Sequence, residues 1–151
     1  MNISFKVALK YGLFIAISLI AYFLILKLFD LHEKIWLRLL NGVVMSIGIY
    51  YAIKIYKRIS KNEFSYINGI KTGLICGFIA TIVFTAFMAI YIFHIDVEFT
   101  ETILRDWFND LGVGANILLF TVFIEGVSST IILSLAFMQL FKKSYNIHQK
   151  V

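Results

Sequence analysis

Runs of Ile, Leu, Val, Phe and Ala alternate along the chain with short segments into which charged and polar residues crowd. A hydrocarbon core about 30 Å thick takes about 20 apolar residues in a helix, so those charged segments mark where each crossing starts and stops. They leave four spans: Tyr11–Phe29, Ile35–Ile53, Thr72–Phe93 and Asn116–Phe141. Asp30–Lys34 reads as a tight turn between the first two, and Lys54–Lys71, carrying Asn62, Glu63, Ser65 and Asn68, as a polar loop. Between the third and fourth spans the pattern changes. Phe99, Ile103, Leu104, Trp107, Phe108 and Leu111 recur at helical spacing, with Glu101, Thr102, Arg105, Asp106, Asn109 and Asp110 on the opposite face. This predicts an amphipathic helix over about 98–111, lying in the interface with Trp107 and Phe108 at headgroup level and turning into the last span at Gly112 and Gly114. The fold class expected is all-α: a four-transmembrane-helix bundle with that interfacial helix, formed by residues 1–151 as a single integral membrane domain.

Composition makes lipid the solvent. The chain is 60% hydrophobic and 15% charged over 151 residues, with a mean hydropathy of +0.86, and carries too little polar surface to wrap a soluble core of this composition. Lys6 and Lys10 before an apolar run resemble a secretory signal, but the run from Tyr11 to Leu26 is long and no small-x-small site follows it before Lys27, so it reads as an uncleaved first span. The chain contains no proline, so no helix has a proline kink. The single cysteine, Cys76, excludes an internal disulfide and sits within a span as a small buried hydrophobe.

The net charge of +5 would raise the question of nucleic acid in a soluble protein, yet the basic residues cluster at span ends and form no stripe with interleaved aromatics. They give the orientation instead. Lys6, Lys10, Lys54, Lys57, Arg58, Lys61, Lys71, Lys142, Lys143 and Lys150 fall on one side of the bilayer; Lys27, Lys34, Arg38 and Arg105 fall on the other. That asymmetry places both termini in the cytoplasm. The opposite face collects Asp30, Glu33, Asp96, Glu98, Glu101, Asp106 and Asp110 and is net acidic.

Two patterns stand out within the spans. Gly69, Gly73, Gly77, Thr81, Thr85 and Ala89 place a small residue at every fourth position of the third span, and Gly126, Thr130 and Ser134 repeat that spacing in the fourth. In lipid, helices attract through packing, and small residues let backbones approach. The stripe therefore meets either the fourth span or another protomer, the internal contact being preferred. A fainter repeat, Lys10-Tyr11-Gly12-Leu13 and Lys71-Thr72-Gly73-Leu74, suggests two parallel hairpins.

The second pattern is polar. A charge at a span's centre costs about 2.5–3.5 kcal/mol on insertion scales, so Glu125 calls for a partner. Counting along each helix from its cytoplasmic end at a rise of about 1.5 Å per residue, Glu125, Arg38 and Lys27 project at one depth, roughly 24–26 Å in. One hypothesis is an intramembrane polar cluster of Glu125 with Arg38 and Lys27, assisted by Asn41, Ser128 and Ser129. The other is that Arg38 and Lys27 snorkel separately to the headgroups while Glu125 is protonated or wetted. His94, Asp96 and Glu98 alternate at i, i+2, i+4, which does not converge on one helix face, so no metal role is assigned. No nucleophile–base–orienter set, phosphate loop or nucleotide fingerprint occurs, and we expect neither enzymatic activity nor a cofactor.

Lys10-Tyr11-Gly12-Leu13, Gly48-Ile49-Tyr50-Tyr51-Ala52-Ile53-Lys54, Asn68-Gly69-Ile70-Lys71-Thr72-Gly73-Leu74 and Tyr91-Ile92-Phe93-His94-Ile95-Asp96-Val97-Glu98-Phe99 together make the chain resemble a family of small four-helix membrane proteins of unknown function, common in Bacteroidota. The resemblance covers nearly the full length and implies a topology and a bacterial inner-membrane address. The segment Glu125-Gly126-Val127-Ser128-Ser129-Thr130 takes no part in it. The function expected is a structural or accessory subunit of a membrane assembly, its partners being the lipid bilayer and a homo-oligomer or larger complex. The alternative is a transporter or channel component using Glu125. A weaker third reading is lipid-headgroup recognition by Lys54, Lys57, Arg58 and Lys61, a cluster that topology alone already explains.

Overall fold

A computed structural model describes residues 3–29, 37, 39–60, 64–95 and 115–141. They form an all-α bundle of four helices, each long and apolar enough to cross a membrane. The helices are α1 (Ile3–Leu28), α2 (Leu39–Ser60), α3 (Tyr66–Ile90), which runs on through a π-helical turn at Tyr91–Ile95, and α4 (Ala115–Phe141). The expected interfacial helix at 98–111 lies outside the described residues.

Helix ends depart from the span boundaries because a charge ends the hydrocarbon crossing without ending the helix. Helix α1 starts at Ile3, ahead of Tyr11, with Lys6 and Lys10 exposed on its outer side while Ser4, Val7 and Ala8 are buried. Helix α2 continues past Ile53 to Ser60, and α3 already begins at Tyr66. Much of the segment expected as a polar loop, Lys54–Lys71, is thus helical, its exposed Lys54, Arg58 and Lys71 reaching outward on long stems.

Helix α3 is the most buried of the four and packs against all the others; α4 is the least buried. α1 runs parallel to α3, and Gly12 makes the close approach: a methyl group there would lie 2.7 Å from the Cys76 carbonyl oxygen. At the termini-proximal end Ser4 Oγ and Thr72 Oγ1 lie 2.7 Å apart, both buried. Thr72 Oγ1 already donates to the Asn68 carbonyl at 2.8 Å, so Ser4 is the donor between them. Farther along, Phe23 meets Tyr91 edge-on at 4.9 Å between ring centroids.

The small-residue stripe of α3 seats on α4 of the same chain. Gly69 faces Met138, Gly73 faces Ser134, Gly77 faces Thr130, and Gly126 receives Thr81, an antiparallel ladder that steps one turn at a time along both helices. Thr85 and Ala89 continue the stripe on α3, half-buried.

Lys57 fastens α2 to the end of α4. Its Nζ donates to the carbonyl of Phe141 at 3.2 Å and stands over the Phe141 ring at 5.2 Å. A charged donor on a carbonyl makes a stronger hydrogen bond than a neutral one. Lys57→Met keeps the stem and removes the donor, and should lower unfolding stability by about 0.5–1.5 kcal/mol, as measured by steric trapping in bicelles. An unchanged stability would leave the contact without energetic weight.

Candidate functional site

The four helices do not close completely. In the half of the bundle farther from the lysine-rich ends they enclose a cavity of about 60 Å³, enough for a few water molecules. Helix α1 contributes Leu19, Tyr22, Phe23 and Leu26; α2 contributes Asn41, Gly42 and Met45; α3 contributes Thr81, Phe84 and Met88; α4 contributes Leu118, Val122, Glu125, Gly126 and Ser129. The α1 residues recur at i, i+3, i+4 and i+7 and the α3 residues at i, i+3 and i+7, one face of each helix turned to the same space.

The lining is mostly apolar, with polar atoms gathered on α2, α3 and α4. Asn41 Oδ1 and Thr81 Oγ1 are buried and have no hydrogen-bond partner among the described residues. Thr81 is 3% exposed, so its hydroxyl cannot turn to solvent. Glu125 and Ser129 join them. Tyr22 OH is engaged elsewhere, donating to the carbonyl of Leu37 at 2.9 Å and tying α1 to the start of α2.

Of the six residues proposed from sequence for a polar cluster, the structure brings Glu125, Asn41 and Ser129 to one cavity. Ser128 is exposed on α4. Lys27 places Nζ 4.5 Å from the centroid of the Tyr91 ring, a cation–π contact at the π-helical turn. Arg38 lies outside the described residues. Glu125 is an exposed side chain at the cavity's rim, not a carboxylate sealed within a dry core. His94 is exposed, and among the described residues no group of three or more His, Cys, Asp or Glu could hold a metal ion.

Sequence reasoning placed Thr81 in the packing stripe and gave no role to Gly42 or Tyr22. Thr81 belongs to both features: the α3–α4 ladder ends where it meets Gly126, and the cavity begins there. The available signal for Gly42 was its position beside Asn41, since a glycine next to an amide opens space without filling it.

A family model described as "Protein of unknown function (DUF4199)" matches residues 10–143. The chain belongs to the DUF4199 family. No curated protein and no solved structure matches it. The match takes in every cavity-lining residue of this DUF4199 protein and the whole α3–α4 ladder. The family and the helix pattern make it a small polytopic membrane protein with four helices long and apolar enough to cross a membrane.

Proposed function

We propose that this DUF4199 protein is a non-enzymatic structural or accessory subunit of a bacterial inner-membrane assembly, a single integral membrane domain over residues 1–151 with both termini in the cytoplasm. The observation that carries the reading is the use made of its chemistry-bearing side chains. Ser4, Lys57, Thr72, Thr130 and Ser134 are spent on joining or packing helices. The small-residue stripe is occupied within the chain, which leaves the apolar outer faces of α1, α2 and α4, with Phe14, Ile17, Ile47, Phe120 and Ile132 exposed, for lipid and for a partner's helices. The resemblance to proteins common in Bacteroidota and the placement of Lys and Arg support the cellular address and the direction.

A transporter or channel component working through Glu125 is the competing reading. Glu125 is the one acidic side chain among the described residues and it is exposed, so no buried acid supports that mechanism.

Extraction of native membranes into polymer-bounded discs tests the accessory role: the protein should migrate in a discrete complex well above its 17.4 kDa chain mass. Migration as a lone chain from native membranes would overturn it. Cysteine scanning tests the orientation, helped by Cys76, which is fully buried and gives little background. Cysteines at Lys6 and Arg58 should resist a membrane-impermeant maleimide in intact cells while one at His94 reacts; the reverse pattern would invert the topology.

A further inference from the structure

Gly42 and Ser129 line the cavity and also a second space, an open groove of about 400 Å³ between α2 and α4. The groove is bordered by Leu39, Val43, Ser46, Ile47, Ile132 and Leu133 and extends to both sides of Gly42, farther toward the lysine-rich ends. Gly42 and Ser129 are thus the wall that the two spaces share, and Gly42 is the doorway the proposal uses. At that doorway a methyl group on Gly42 would find nothing within 4 Å.

We propose that cavity and groove form a lateral binding site for a neutral membrane amphiphile with a hydroxyl head, such as a long-chain alcohol or a diacylglycerol. The head enters past Gly42 to Asn41 Oδ1 and Thr81 Oγ1, buried oxygens that lack a partner among the described residues. Leaving them so in hydrocarbon is costly. A hydroxyl donates and accepts, so it serves both an amide oxygen and a threonine hydroxyl. Asn41 Oδ1 only accepts, so a head with no proton to donate would leave it unserved. The tail lies in the groove among Val43, Ile47 and Ile132. This site is independent of the accessory role: a subunit can carry a lipid whatever it assembles with.

The test uses the full chain in phosphatidylcholine nanodiscs with hexadecanol bearing a diazirine and an alkyne along its chain, and a matched hexadecane probe without the hydroxyl. After irradiation, peptide mapping should find hexadecanol adducts concentrated on 39–47 and 129–133, with the hexadecane probe labelling them about fivefold less, the loss of a hydrogen bond. Gly42→Trp should block the doorway and Asn41→Leu should reduce labelling by about the same fivefold factor. Protection of Cys76 from maleimide reports that each variant is folded. Equal labelling by the two probes in the unaltered protein would overturn the proposal and leave water in the cavity. Adducts spread evenly over the outer faces, including Phe14 and Ile17, would overturn it as bulk lipid contact.

Discussion

Alanine at position 12 should destabilise the protein by about 1–3 kcal/mol, the usual cost of overpacking, whereas alanine at position 42 should leave stability unchanged or raise it by up to about 1 kcal/mol through helix propensity. Both substitutions add one methyl group to a helical glycine. They differ in what it meets. At position 12 the nearest atom is the Cys76 carbonyl oxygen, 2.7 Å away, and the next is Ile79 Cβ at 2.9 Å, both rigidly attached to α3. Backbone cannot rotate aside, so α1 and α3 must separate along their contact and lose the dispersion energy of that interface. At position 42 the methyl group enters open space. Steric trapping in bicelles measures both. Equal stabilities of the two variants would mean that α1 and α3 are not held as close as described.

The second large effect lies in the α3–α4 ladder and is a coupling. Gly77→Ala drives its methyl group into the Thr130 side chain and should cost about 1–3 kcal/mol. Thr130 is β-branched, with χ1 restricted in a helix, and its hydroxyl is already tied to the Gly126 carbonyl at 2.8 Å. It therefore cannot swing away. Thr130→Ala removes the obstructing atoms, so the double variant should recover at least half of the loss, giving a coupling of about 1 kcal/mol. Strict additivity of the two substitutions would show that they do not share one contact. The cycle also separates an internal seam from a contact between protomers: in dilute bicelles, where chains are alone, an internal coupling persists.

The four crossings were legible because charge and apolar runs separate cleanly along this chain, as between Lys10 and Lys27. The stripe was legible because Gly69, Gly73 and Gly77 hold a single spacing that only close packing requires. Its continuation onto Gly126, Thr130 and Ser134 came from the same rule. Three things were hidden. Helix ends at Ile3 and Ser60 are invisible to a hydropathy argument, since Lys6 and Lys57 can remain helical while leaving the hydrocarbon. The inward faces were hidden too: Ile15 and Ile17 are equally apolar, yet one is buried and the other exposed, because in lipid both sides of a helix are greasy. Gly12 and Gly42 looked alike for the same reason. Of the polar cluster, depth counting concerned Glu125, Arg38 and Lys27; Asn41 and Ser129, named as their assistants, line one cavity with Glu125, while Ser128 is exposed, since depth carries no information about rotation.

Helix α3 is the member against which every other helix rests, and it is made third. When it leaves the ribosome, α1 and α2 are already in the membrane and can dock on it at once, Gly12 against Cys76. The opposite edge, Gly69 to Thr81, has to wait for α4, beyond a connection that begins after Ile95. During synthesis that glycine edge is therefore bare to the bilayer for the time taken to make the last segment.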